Sequence, residues 1–386
     1  MTTQTLSTWP AAVGTGSALG AEVIGEKGSG AQPTLHRPCG GPAGSPESSL
    51  RKGMSMTLER GVLIAAALSV LLGPGPAVAA SQRTFVASTG FDTNPCSITA
   101  PCRSFTAAIA LTNAGGEVVV LDSAGYGAVT IGKAVAIAAP PGVYAGISVL
   151  AGAGVTVSAA PGDVVTLRGL TINAQGGSTG IAFNSGDALY VDSVIVSGFS
   201  GPGGVGLSAA TGGATSSLFV RNSVLRDNAT GLSTATTGGS LALGVDHAAF
   251  ERNGTGALLQ GNVLGSIFGS TFADGGTGIA AGSPGRTLRV ELRDCTISGN
   301  SGTGVAAIVG ATTATTLSVV TSMVSGNAIG LQSANTGNSI YSSDNTISHN
   351  LTGLSASASG TLVSGTDNRL VGNVTDGAFS SSVPKI

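Results

Sequence analysis

Short runs in which apolar and polar side chains alternate recur along residues 164–371, as in VVTLRGLTI, SLFVRNSVLRDN, LRVELRDCTISGN and SIYSSDNTISHN. A period of two puts every second side chain on one face of a strand, and the β-branched residues in these runs suit a pleated wall. No run keeps the period of a helix. Asn, Asp and Gly interrupt the runs every few residues, and such residues turn the chain because they tolerate left-handed backbone. Very short strands joined by sharp corners are therefore expected.

The runs repeat. A Gly followed by a small or aliphatic residue stands at Gly180, Gly206, Gly231, Gly256, Gly278, Gly304, Gly330, Gly353 and Gly377, at gaps of 22 to 26 residues. Three or four residues earlier comes Asn, at Asn228, Asn253, Asn300, Asn327, Asn350 and Asn373, and three before that a large apolar residue, at Leu225, Phe250, Ile297, Val324, Ile347 and Leu370. A period in the twenties, with units too short to form a core alone, predicts a solenoid. Three strands and three turns fill one coil, and coils about 4.8 Å apart pair in parallel. The asparagines then stack as a ladder along one corner. LRGLTIN at Leu167–Asn173 fits part of a leucine-rich template, but later rungs drop it and leave no room for a convex helix. Strands AVTI, VAIAAP, GISV and GVTVSA precede it, so roughly eleven rungs are expected, on the order of 50 Å of stack.

These rungs, with VVTLRGLTI at Val164–Ile172, resemble the right-handed parallel β-helix proteins of the pectin-lyase-like class, of secreted bacterial type, from about Arg83 onward. The resemblance implies an all-β fold, its right-handedness, and an N-terminal cap carrying a short amphipathic helix. The cap is readable in the residues too. TFVAS is a strand, Ser104 can N-cap a helix with apolar face Phe105, Ala108, Ile109 and Thr112, and Asn113–Gly116 should stop it.

Four segments follow from this reading. Residues 1–53 are rich in Gly, Pro, Ser and Thr, hold the lone Trp9 and Cys39, and cannot build a core, so they read as a disordered or upstream mis-started extension. Residues 54–80 read as a signal peptide: Met54 and Met56, Arg60, an apolar run Val62–Leu72 too short to span a bilayer, and an A-x-A site at Ala77–Ala79. Residues 81–127 form the cap and residues 128–386 the β-helix. A secreted protein, extracellular or periplasmic, without a membrane anchor after cleavage and monomeric, is expected. In that compartment Cys96 and Cys102, in the Pro-bounded loop NPCSITAPC, should form a disulfide, since no companion ligands support a metal site there. Cys295 within a rung reads as a packed thiol.

Composition narrows the partners. Only 9% of residues are charged and the net charge is −2, which leaves no electrostatic footprint for nucleic acid or anionic membrane. Polysaccharide or cell-surface components remain as partners.

Chemistry is sought in columns, because equivalent residues of successive rungs lie above one another. Asp192, Asn222, His247, Gly269, Asp294, Thr321, Asp344 and Asp367 form one polar column. Asp344 and Asp367 could share a calcium ion or act as an acid/base pair, or they could simply cap turns. The second candidate, Asp246-His247, is similar to an aspartate-histidine motif of pectate lyases, in which the aspartate helps bind calcium and a downstream arginine is the base. Arg286, Arg289 and Arg293 lie within two rungs, with Arg289 the candidate base, yet the R-x-P-x-x-R pattern of that family is missing. The polygalacturonase motifs are missing as well. Tyr190 and Tyr341 are the outward aromatics. Two functions stay open: a non-enzymatic adhesive or carbohydrate-contacting β-helix, or a uronate polysaccharide lyase built on Asp246, His247 and Arg289.

Overall fold

The computed structural model describes residues 80–213, 215–308 and 314–384. The expected extension and nearly all of the expected signal peptide lie outside them. Every strand pair is parallel, and the strands stack into sheet A of 13 strands, sheet B of 11 and sheet C of 10. One rung reads A, B, C in chain order, for example Leu288–Arg293, Thr296–Ser298 and Thr303–Ala307. VVTLRGLTI, one run in the sequence, is two strands of different sheets, because Gly169 turns the chain between Arg168 and Leu170 with φ +71°.

The alternation does what period two requires. Along Leu288–Arg293 the residues Leu288, Val290 and Leu292 are buried and Arg289 and Arg293 exposed. Inside, like stacks on like: Leu225, Phe250, Phe272, Ile297, Val324, Ile347 and Leu370 are in register. Phe250 and Phe272 stack with centroids 4.5 Å apart and planes 2° apart. Each such side chain contributes about 1.5–3 kcal/mol by leaving water.

Each rung turns twice through left-handed backbone. Between A and B the residue is Ser193, Asn222, His247, Gly269, Asp294, Thr321 or Asp344, with φ from +46° to +57°. Between B and C it is Gly198, Asp227, Arg252, Asp274, Gly299, Gly326, His349 or Gly372. The connection from C back to A varies, from two residues at 261–262 to six at 282–287, which is why the repeat gap drifts.

Apart from Gly377, with φ +72°, the recurring anchor glycines are not the left-handed ones. They are needed because rungs approach too closely for a side chain: a Cβ on Gly231, Gly256 or Gly278 would lie 2.5 Å from the carbonyl oxygen of the next anchor glycine. The asparagines before them form a buried ladder. The backbone N–H and side-chain amide of Asn228 both donate to Asn253 Oδ1, each at 3.0 Å, and Asn300, Asn327 and Asn350 repeat this onto Asn327, Asn350 and Asn373. Gly275 interrupts it, since a Cβ there would meet Asn253 O at 2.4 Å. Asparagine suits the place because it carries donor and acceptor together.

A second buried ladder lies at the A–B corner, one residue past the left-handed position. Val194 N–H donates to Ser223 Oγ, Ala248 N–H to Ser270 Oγ, Cys295 N–H to Ser322 Oγ, Ser322 N–H to Asn345 Oδ1 and Asn345 N–H to Asn368 Oδ1. Cys295 occupies a rung of this ladder. Its thiol donates to Ile267 O and Arg293 O, and burial pushes it up to about 11.

The cap closes the N-terminal end. Strand β1 (Ser81–Val86) pairs with β2 (Thr112–Val120), and helix α1 (Phe105–Leu111) covers the interior with Phe105, Ala108 and Ile109. Ser104 caps α1 by accepting from Ala107 N–H at 3.2 Å. The chain leaves the helix at Thr112, one residue before the expected stop at Asn113, and Thr112 bonds both Ala108 O and Thr84 Oγ1. A disulfide joins Cys96 and Cys102.

Candidate functional site

The outer face of sheet A carries two side-chain columns, two residues apart on each strand. One holds Thr166, Tyr190, Phe219, Gly244, Ser266, Glu291, Ser318 and Tyr341; the other holds Arg168, Asp192, Arg221, Asp246, Phe268 and Arg293. A furrow runs between them. Two cavities of about 280 and 440 Å³ lie along it, and they share Phe219 and Arg221, so the furrow crosses at least five rungs.

Two adjacent residues of its first wall are aromatic. The rings of Tyr190 and Phe219 stack at 4.8 Å with planes 14° apart. Phe219 then leans over Gly244, where a Cβ would lie 2.8 Å from its Cδ1. Tyr341 lies five rungs beyond Phe219 in the same column and remains exposed.

The second wall alternates in charge from rung to rung: Arg168, Asp192, Arg221, Asp246. Arg168 Nε lies 3.2 Å from Asp192 Oδ2 and Arg221 Nε 3.8 Å from Asp246 Oδ2. The two arginines are mostly exposed, Asp246 less so and Asp192 only a quarter exposed, so each pair is worth about 0–1 kcal/mol and its guanidinium is open to competition by a ligand. Asp192 also accepts from the Asn222 amide at 3.3 Å. That places Asp192 one residue earlier than the sequence column assumed; Ser193 takes the corner. A one-residue slip moves a side chain to the opposite face of a strand or off it, and here it moves Asp192 from a corner into the furrow wall.

Asp246 and His247 do come together. Asp246 Oδ1 and His247 Nδ1 are 2.6 Å apart, His247 packs edge-on against Phe268 at 5.5 Å, and both Asp246 and His247 line the larger cavity. Arg289 does not join them. It lies on the column of Leu264 and Thr316, two rungs on and four residues toward the start of its strand, roughly 13 Å along the strand direction alone. Arg286 ties two loops together by donating to Thr237 O and Gly238 O, and Arg293 pairs with Glu291 at 2.8 Å. The arginine beside Asp246 is Arg221, from the preceding rung.

Asp344 and Asp367 are neighbours in the corner column. Asp367 Oδ1 accepts from Asp344 N–H and Oδ2 from the Ser343 hydroxyl, each at 2.9 Å, a turn-capping arrangement. Among the described residues no three His, Cys, Asp or Glu side chains gather as a metal site.

Phe219, Phe268, Arg168 and Arg221 escaped the sequence reading. Their columns appear only once the register of sheet A is known, although FVRN and LRG at these positions place an arginine at an outward strand end.

No protein-family model and no curated protein matches the chain. Solved structures do. Over 71% of this chain and 69% of its own, the structure titled as the complex of XylC with xylose matches at TM-score 0.51 and 9% identity. Pectate lyase Pel9A matches over 78% and 80% at TM-score 0.43 and 17% identity. The A-module of Azotobacter vinelandii mannuronan C-5 epimerase AlgE4 matches over 70% and 91% at TM-score 0.45 and 16% identity. At these identities the likeness is one of fold. Three parallel sheets in constant register, closed by a helical cap, make this chain a parallel β-helix of the pectin-lyase-like fold.

Proposed function

We propose that the protein is a carbohydrate-contacting β-helix that holds a linear saccharide along the furrow of sheet A. The observation that carries this reading is the pairing of an aromatic wall, Tyr190 on Phe219, with a wall of exposed Arg and Asp across one continuous furrow. Aromatic rings give a sugar chain an apolar surface, and charged side chains give its hydroxyls and carboxylates partners. The neighbour of the same fold solved with xylose is in keeping with that ligand class. The Cys96–Cys102 disulfide supports a protein that works outside the cytoplasm.

Calorimetric titration with neutral and acidic oligosaccharides tests it. Tyr190→Ala and Phe219→Ala should each weaken binding about tenfold, the value of one good aromatic contact, with the circular dichroism spectrum unchanged. Equal binding by both variants would remove the furrow from the reading.

One observation favours a second reading, a polysaccharide lyase: Asp246, His247 and Arg221 meet beside the larger cavity. In that reading Asp246 orients His247 through Nδ1, the other ring nitrogen accepts the proton α to a uronate carboxylate, and Arg221 steadies the carboxylate. Absorbance at 235 nm on uronate polymers, with and without calcium, decides. New absorbance that vanishes in His247→Ala would establish the lyase.

A further inference from the structure

The geometry points to a more specific ligand: a linear heteropolysaccharide that carries a carboxylate on every second sugar, with a neutral or amino sugar between. This rests on the furrow being a saccharide site. It follows from the order of charge along the second wall.

Arg168, Asp192, Arg221 and Asp246 come from four successive rungs in strict register, Arg168 against Asp192, Asp192 against Arg221 and Arg221 against Asp246. Neighbouring rungs are about 4.8 Å apart, so the two arginines repeat at roughly 9–10 Å and the two aspartates interleave with them. An extended chain of equatorially linked pyranoses advances by about one rung per sugar. Each sugar therefore meets one charge, and the charges alternate in sign.

Two consequences follow for recognition. A uronate opposite each arginine gains a charge-assisted contact, because the guanidinium forks Arg168 and Arg221 are exposed and their present partners are only surface pairs. A sugar opposite each aspartate must bring hydroxyl or amino donors instead. A homopolymer of uronates would set half of its carboxylates against Asp192 and Asp246, and like charges in contact exclude a partner more sharply than missing contacts do. A neutral chain would leave both arginines without a ligand carboxylate. Phe268 ends the alternation on the next rung, so the patterned stretch spans two disaccharides. On the opposite wall Tyr190 and Phe219 occupy the same rungs as Asp192 and Arg221, which puts the aromatic contact at the centre of that stretch.

The test compares three probes of equal length by calorimetry at low and at high salt: oligosaccharides of alternating glucuronate and N-acetylglucosamine, oligogalacturonate, and neutral xylo-oligosaccharide. The alternating probe should bind best, at least tenfold more tightly than oligogalacturonate, and lose affinity with salt. Arg168→Gln and Arg221→Gln should each weaken it about tenfold and flatten the salt dependence. Asp192→Asn should raise the affinity for oligogalacturonate relative to that for the alternating probe. Preference for oligogalacturonate, or binding of the neutral probe as tight as that of the alternating one, overturns the charge-pattern proposal; if Tyr190→Ala weakens that binding about tenfold, the saccharide furrow itself stands. Binding of none of the three sinks both.

Discussion

Replacing Asn327 by alanine tests whether the inner ladder is an energetic element or only a repeated shape. Asn327 is 2% exposed. Its Oδ1 accepts from the Asn300 N–H at 3.1 Å and from the Asn300 side-chain amide at 2.8 Å, while its Nδ2 donates to Ile297 O and Asn350 Oδ1, each at 3.1 Å. Alanine leaves a buried backbone N–H without an acceptor, which costs about 1–3 kcal/mol, and deletes the bonds of Nδ2, each worth about 0.5–1.5 kcal/mol net. A loss of about 2–4 kcal/mol is expected. Asn373 ends the ladder at a half-buried position where water replaces the amide, so Asn373→Ala should cost below about 1 kcal/mol. Urea unfolding gives the free energies, and hydrogen exchange at the Asn300 amide gives the local opening that a stack of rungs permits. Asn327→Ala should accelerate that exchange by at least tenfold. Equal losses in the two variants, or unchanged exchange at Asn300, would refute the claim that the ladder holds the corner.

Three further outcomes are expected. Gly231→Ala should lower the melting temperature, because its Cβ meets Gly256 O at 2.5 Å and overpacking costs about 1–3 kcal/mol, whereas Gly201→Ala, with open space around it, should be near neutral. Joint replacement of Cys96 and Cys102 by serine should destabilise the cap by roughly 2 kcal/mol, the chain-entropy value for so short a loop, and wild type in reductant should match it in thermal scans. Asp122 is held below its ordinary 3.8 chiefly by the Ser88 hydroxyl, then by the Tyr126 hydroxyl. Because its folded-state pKa is depressed, its contribution is complete above about pH 4 and fades as pH falls through the folded value. Asp122→Asn should therefore melt lower than wild type at pH 7, with the gap closing in strong acid.

Much of the architecture was legible because a solenoid writes its geometry once per rung. The Asn228 to Asn373 series and the apolar series from Leu225 to Leu370 identified two columns correctly, since both are buried up to their half-buried last members, Asn373 and Leu370, and tolerate few residue types. Exposed columns have no such restriction, so Asp192 was assigned to the wrong one and Phe219 and Arg221 went unnoticed. The second ladder was obscured for another reason. Ser223, Ala248, Ser270, Cys295 and Asn345 share a small size and no single chemistry, and only their common place after a left-handed residue unites them.

By itself the sequence determined the solenoid, its period, the cap helix and the buried corner asparagines, because each follows from local periodicity and turn chemistry repeated many times. Tertiary structure decided which outward residues become neighbours. Tyr190 and Phe219 are 29 positions apart and stack face to face; Arg221 and Asp246 are 25 apart and pair. Such contacts depend on register between rungs, and register is set by the lengths of the connections and the close approach of the glycines, not by the strands that carry the contacting side chains. The furrow exists only after the rungs are stacked.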